Sequence, residues 1–225
     1  MPRTRGWSSP LAEPELEDGW VDAELAEEFP GLALRTLRVE ARNARTPPEI
    51  KQRLALLSDR FRGATAIQMR RDPIPSAYRV FYRQVGLDPD ATRTPIEEAA
   101  IQRLIKGRFG AEDLVADAQT IALVETGVPI WAADADALDG PLGLRTAREG
   151  ERIGRAEAAN YARAGQLVVA DATGPIAVLF DQVADGAAVT KQTGVIEAFT
   201  VQVPGVPAIF VEEAFWNFLA VLATL

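Results

Sequence analysis

The texture of the chain changes at Gly127, and this constrains the fold more than any other feature. Helical periodicity dominates before it, and short β-type runs separated by Asp, Gly and Pro turns dominate after it. Two helix starts carry the same punctuation. In Thr46-Pro47-Pro48-Glu49, Thr is placed as N-cap, proline enters the first turn where no N–H is needed, and Glu49 completes a capping box. Ile50, Leu54, Leu57 and Phe61 follow at helical spacing, and Gly63 is the expected stop. Thr94-Pro95-Ile96-Glu97 repeats the device ahead of Ile101, Leu104 and Ile105, with Gly107 as the stop. Between them, residues 74–86 predict a helix capped by Ser76 and burying Val80, Phe81 and Val85; residues 114–126 predict another, ended by Gly127. A short helical pattern at 22–29 and a strand at 32–39 come first. After Gly127, strands are expected at 128–132, 141–146, 166–170, 175–180 and 194–203, then a final helix at 208–225. The pattern is that of an α+β fold, with early helices packed on a mixed or antiparallel β-sheet. Residues 21–225 read as a single domain behind a loosely attached arm at 1–20, rich in Pro, Glu and Trp.

A chain of 225 residues, 48% hydrophobic and 25% charged, buries a sizeable core without disulfide or metal staples. Cysteine and histidine are both absent. That excludes disulfide frameworks, thiol nucleophiles, His-assisted hydrolases and His-ligated metals, and leaves carboxylates, hydroxyls, Arg, Lys and backbone groups to do any chemistry. The apolar run 214–225 is too short to span a bilayer and is expected to close the core as a buried helix. The N-terminus has no apolar signal region, so the expectation is a cytoplasmic protein with no membrane partner.

The net charge of -8 argues against a general nucleic-acid binder, and no DNA partner is expected. Its distribution is uneven: residues 51–110 hold 12 Lys and Arg against 6 Asp and Glu. Arg71, Arg79, Arg83 and Arg93 belong to this basic segment. Arginine forks suit phosphate, although solvated helix faces have the same composition.

Dinucleotide fingerprints, P-loops, EF-hands, serine-hydrolase elbows and zincin patterns are missing, and only four serines occur. Asp134, Asp136 and Asp139 share one turn, and Glu149 and Glu151 another. Such groups serve either as turn formers or as a cation or acid–base site.

One ordered succession of residues is specific where each piece alone is weak. It runs Glu28-Phe29-Pro30-Gly31, then Ile74-Pro75-Ser76-Ala77-Tyr78-Arg79-Val80-Phe81-Tyr82-Arg83, Gly86-Leu87-Asp88-Pro89 and Arg93-Thr94-Pro95-Ile96-Glu97. It continues through Asp117, Glu125-Thr126-Gly127-Val128-Pro129-Ile130, Asp134-Ala135-Asp136, Leu144-Arg145, Gly150-Glu151 and Asp171 to Thr190 and Thr193. Over roughly residues 25–205 this resembles the editing domain, formed by the third and fourth modules, of the phenylalanyl-tRNA synthetase beta subunit, in its freestanding form. The resemblance implies a trans-editing aminoacyl-tRNA deacylase that binds the acceptor end of a mischarged tRNA. Such an activity exists because a synthetase pocket separates side chains differing by one methylene by only about 1–3 kcal/mol.

An activated ester requires only a positioned water and donors for the oxyanion, so neither a covalent intermediate, a metal nor a cofactor is expected. The resemblance implies catalytic roles for Glu151, Asp117 and Thr193. For substrate and tRNA binding it implies Tyr78, Arg79, Tyr82, Arg83, Arg71, Arg93, Thr120, Arg145 and Thr190. Tyr78 and Tyr82 share one helix face and Arg79 and Arg83 another. One face would stack the terminal adenine and the other bind phosphate, or the tyrosines line the core edge and the arginines are solvated. Arg145 with Glu151 is either a structural ion pair or a functional one, and Thr190 and Thr193 either reach a pocket or cap a turn. Where the family pattern has Asn, three residues after Asp117, this chain has Thr120, and where it has Ser, Leu123. Two readings stand beside the deacylase: a non-catalytic tRNA or amino-acid binding module of the same fold, and a carboxylate-based or metal-dependent hydrolase built on Asp134, Asp136 and Asp139.

Overall fold

The structure, a computed structural model, describes residues 15–61, 63, 68–110, 113–155 and 160–224. The elements run β1 (Glu17–Asp18), β2 (Trp20–Val21), α1 (Ala23–Glu28), β3 (Ala33–Glu40), α2 (Pro48–Arg60), α3 (Pro73–Gln84), α4 (Pro95–Lys106) and α5 (Leu114–Thr126). Then come β4 (Trp131–Asp134), β5 (Gly143–Thr146), β6 (Arg152–Ile153), β7 (Asn160–Tyr161), β8 (Leu167–Ala170), β9 (Pro175–Val178), β10 (Val195–Gln202) and α6 (Ala208–Leu222). Two four-stranded sheets result, one antiparallel in the order β1-β3-β10-β4, the other mixed in the order β2-β5-β8-β9 with β2 parallel to β5. A two-stranded antiparallel ribbon, β6-β7, stands apart. The α+β expectation holds, with every predicted strand present within a few residues. Arg62 and residues 1–14 of the expected arm lie outside the described residues.

One hydrophobic core joins both sheets and the helices. The final helix closes it, burying Val211, Ala214, Phe215, Phe218, Val221 and Leu222, as its apolar run requires. A smaller cluster of Ala147, Ala162, Val168 and Ala170, with Ile153 packed against it, lies under the β6-β7 ribbon. No helix among the described residues is long and apolar enough to cross a membrane.

Residues 17–22 strap the two sheets together. Glu17 and Asp18 pair with β3, the Gly19 N–H donates to the Leu34 carbonyl at 2.9 Å, and Trp20 and Val21 pair with β5. The chain passes between the sheets so tightly that a Cβ on Gly19 would sit 2.6 Å from the Leu142 carbonyl oxygen and 2.7 Å from a Leu34 methyl. Gly143, opposite Trp20, is equally closed, since a Cβ there would enter the indole. Gly19→Ala is therefore expected to destabilise the protein by about 1–3 kcal/mol through forced separation of the sheets. A denaturant midpoint unchanged from wild type would show that the strap yields at no cost.

Several local expectations need correction. The α4 capping box is present as read, with Thr94 and Glu97 bonded reciprocally and Gly107 left-handed at φ 77°. At α2 the same motif works differently: Pro47 is the N-cap without a side-chain bond, and Thr46 is buried with its hydroxyl donated to Asp117 on α5. This helix ends at Arg60, with Phe61 as its C-cap, before Gly63. In α3 the helix starts at Pro73, so Ser76 lies inside the first turn and donates its N–H to the Asp72 carbonyl. The buried stripe of α3 is Ile74, Tyr78, Phe81 and Tyr82, while Val80 is 49% exposed. α4 buries Ile96, Glu97 and Ala100, leaving Leu104 and Ile105 in solvent.

Candidate functional site

A cavity of about 870 Å³ forms an open cleft between the C-terminal end of α3, the loop before α4, and the second sheet with its ribbon. Such a volume suits a small-molecule-sized group. Tyr82, Val85 and Leu87 form the α3 wall and Thr92 and Arg93 the loop side. Ile153, Asn160 and Tyr161 come from the ribbon, and Arg163, Gln166 and Leu167 from the turn that follows it. Val178 to Asp185 complete the lining. Amides (Asn160, Gln166, Gln182), two cations (Arg93, Arg163) and two carboxylates (Asp181, Asp185) thus face an apolar floor.

That floor is aromatic. Phe180 stacks on Tyr82 at 4.9 Å and meets Tyr78, Phe81 and Trp131 at 5.8, 6.1 and 6.0 Å. Phe180 is also the one non-glycine residue among those described with a positive φ, 64°. A bulky residue in that conformation costs about 1–3 kcal/mol and persists only where packing over-determines it, as four rings do here. Burial, reinforced by the negative charges of Glu97 and Asp181, pushes the Tyr82 phenol well above the usual tyrosine range, so it stays a hydrogen-bonding O–H.

Of the residues nominated from sequence, Tyr82 and Arg93 line the cleft. Tyr78 does not stack a base: it is 1% exposed and its hydroxyl donates to the Val201 carbonyl at 3.0 Å. Arg79 does not present a phosphate fork either. Its guanidinium is buried and donates to Glu97 at 2.6 Å and Asp90 at 2.7 Å, joining α3 to the capping box of α4. Burial works against its charge, but Asp90 and Glu97 outweigh that and raise its pKa. Arg70 adds a second cation to Glu97 at 2.7 Å. Arg71 and Arg83 are exposed, and Arg93 pairs with Glu98 at 3.2 Å. The basic segment is therefore partly an internal clamp.

The three nominated catalytic residues are held by the fold, away from the cleft lining. Asp117 is 1% exposed and accepts the Thr46 hydroxyl. Thr193 donates to Asp134 Oδ2 at 2.7 Å and accepts the Thr190 N–H at 3.0 Å, closing that turn. Thr120 returns its hydroxyl to the Ala116 carbonyl within α5. Asp134 Oδ1 also accepts the Asp136 N–H at 3.1 Å, so the aspartate turn serves the backbone; no group of three or more acidic residues poised for a metal occurs among the described residues. Asp171 is a turn organiser too: four donors and Arg155 overcome its burial and hold its carboxyl low. The Gln182–Val183 segment additionally lines a cavity of about 130 Å³ shared with Asp113, Gln119 and Trp131.

Glu151 is bound bidentately by Arg145, at 2.7 and 2.5 Å, and accepts the Arg148 N–H at 2.9 Å. Arg145 holds the Glu151 carboxyl below its ordinary 4.5, which makes it a weaker base and a stronger structural pair. A depressed pKa stabilises the fold fully above the unfolded value and loses that contribution as pH falls through the folded one. Glu151→Gln is thus expected to lower stability at pH 7 by about 1–3 kcal/mol, and the gap from wild type should close below pH 4.5. Denaturant titrations at pH 7 and pH 3 check this.

Sequence reasoning missed Tyr161, Arg163, Phe180, Asp181 and Asp185. A visible signal was the density of arginine in 145–163, five against three glutamates, outside the basic segment first counted.

The B3/4 domain family model matches residues 77–196. The chain belongs to the B3/4 domain family. Every residue lining the large cleft falls inside the matched region, so the cleft belongs to the B3/4 domain itself. Two curated relatives, phenylalanine–tRNA ligase beta subunits from two strains of Xanthomonas campestris pv. campestris, are each 33% identical to this B3/4 chain over 94 residues. The alignment covers 41% of the chain and 12% of each relative. This agrees with the resemblance drawn from the ordered motifs.

Proposed function

We propose that the protein is an editing-type aminoacyl-tRNA deacylase, acting in trans in the cytoplasm on the acceptor end of a mischarged tRNA. The single observation that carries this reading is the 870 Å³ cleft, which lies wholly inside the B3/4 match and combines an aromatic floor with amides, arginines and two carboxylates. The tRNA is taken from what the relatives are named for, a phenylalanine–tRNA ligase. In this reading the aminoacyl group enters over Tyr82 and Phe180. Asp181 or Asp185 orients the attacking water, and amide N–H groups of Asn160, Gln166 or Gln182 receive the developing oxyanion. The ester C–O bond breaks, the amino acid leaves as its acid, and the ribose hydroxyl regains a proton from the attacking water. No covalent intermediate is required.

The test is a single-turnover deacylation screen across tRNAs charged with non-cognate and non-protein amino acids. Accelerated hydrolysis of at least one mischarged tRNA is expected, and spontaneous rates throughout would overturn the reading. One observation favours a non-catalytic binding module instead: Glu151, Asp117 and Thr193 are all consumed by internal bonds. Retention of mischarged tRNA with an unchanged ester half-life would select that alternative.

A further inference from the structure

The β6-β7 ribbon stands outside the two main sheets. It rests on its own small cluster, and it carries the most exposed aromatic side chain of the cleft, Tyr161, at 64% exposure. A tyrosine left in solvent is ordinary in isolation. Its surroundings are not. Arg152 is its direct cross-strand partner, which puts both side chains on one face of the ribbon about 5 Å apart at their Cβ atoms. Arg163 follows two residues later and lines the cleft beside it. Both arginines are exposed, and Tyr161 and Arg163 line the cleft.

The base of this ribbon is tied to its surroundings by backbone hydrogen bonds. The Gly154 N–H donates to the Pro175 carbonyl at 2.9 Å, Arg155 N–H to the Asp185 carbonyl at 3.2 Å, and Ala162 N–H to the Glu151 carbonyl at 2.8 Å. The turn after it is closed by Arg163 N–H to the Gln166 side chain at 3.1 Å and Gln166 N–H to the Arg163 carbonyl at 3.0 Å. An exposed aromatic on a ribbon tied to the sheet, with one arginine opposite it and another two residues on, suits single-stranded nucleic acid. The ring stacks on a base, and the cations take the phosphates on either side.

We propose that the β6-β7 ribbon is a platform for the unpaired 3′ strand of RNA, with Tyr161 stacking one nucleobase and Arg152 and Arg163 binding flanking phosphates. This rests on the tRNA reading and deepens it, because it says which side of the cleft the strand enters from. The basic segment of α3 and α4, with Arg79 consumed inside, is then not the principal RNA surface.

The experiment measures binding of a fluorescent single-stranded RNA ending in CCA by anisotropy over a range of salt, together with deacylation by the same proteins. Tyr161→Ala is expected to weaken binding about 10-fold or more, and Tyr161→Phe to retain it, since stacking needs the ring and not the hydroxyl. Replacing both Arg152 and Arg163 by Ala is expected to reduce the slope of log affinity against log salt by about 1.4, two phosphates at about 0.7 each. Wild-type affinity in Tyr161→Ala overturns the platform even if mischarged tRNA is still hydrolysed. A wild-type protein that neither binds the RNA nor hydrolyses any charged tRNA overturns the platform and the deacylase reading together. Loss of binding in Tyr161→Ala with no hydrolysis by wild type supports the platform and moves the protein to the binding-module alternative.

Discussion

Glu97→Ala is expected to destabilise the protein by about 3 kcal/mol, the lower end for breaking a buried ion pair, because it leaves a buried guanidinium with only the exposed Asp90 as counter-ion. Glu97 is 2% exposed and performs two tasks at once. Its Oε2 accepts the Thr94 N–H at 3.1 Å and the Thr94 hydroxyl at 2.8 Å, while Oε1 accepts Arg79 at 2.6 Å. Removing it opens the N-terminus of α4 and takes from Arg79 the buried one of its two carboxylate partners. Urea titration with an unchanged m-value measures the loss. A change below about 1 kcal/mol would put the Arg79–Glu97 pair in the class of solvated surface pairs. The same geometry makes Arg79→Ala a poor probe of RNA binding, since any loss of affinity would follow from loss of fold. Arg163→Ala is the cleaner choice.

The second large effect concerns chemistry. Asp181→Asn combined with Asp185→Asn is expected to slow single-turnover deacylation by about 100-fold, the lower end of what a positioned general base contributes. The chain has no histidine or cysteine to take over, and these are the two carboxylates that line the cleft. Asn preserves side-chain volume, and both positions are exposed, so the melting temperature should hardly move. A double variant with wild-type turnover would assign the orientation of water to the neighbouring ribose hydroxyl of the substrate, and the cleft carboxylates to solvation.

The legible parts of this protein were those whose cause is local. The capping box at Thr94 and Glu97, the left-handed glycines closing α4 and α5, and the strand runs after Gly127 all depend on residues within a turn or two of one another. Thr46 failed as a cap for a non-local reason: its hydroxyl finds Asp117, 71 positions away, a better partner than its own helix. Arg79 looked like a phosphate ligand because its counter-ions, Asp90 and Glu97, lie beyond the end of its helix. The cleft was harder still. Its walls come from residues 82–93 and 153–185, and nothing periodic links them. Tyr161 was overlooked because a two-residue strand produces no alternation to read, and Asp181 and Asp185 because they resemble ordinary turn residues. The family was recognisable from order alone, even though Asp117, Glu151 and Thr193 turned out to be tied down by the fold.

The strap formed by residues 17–22 has a mechanical consequence. A pull applied on the N-terminal side of Glu17 is shared between two sheets rather than peeling one strand from an edge, because β1 grips β3 and β2 grips β5 within five residues. Tension arriving there would be resisted in shear by both sheets and by the indole wedged over Gly143. Anything tethered through that end would tug on both sheets at once, including the one whose β8 and β9 supply Leu167 and Val178 to the cleft wall.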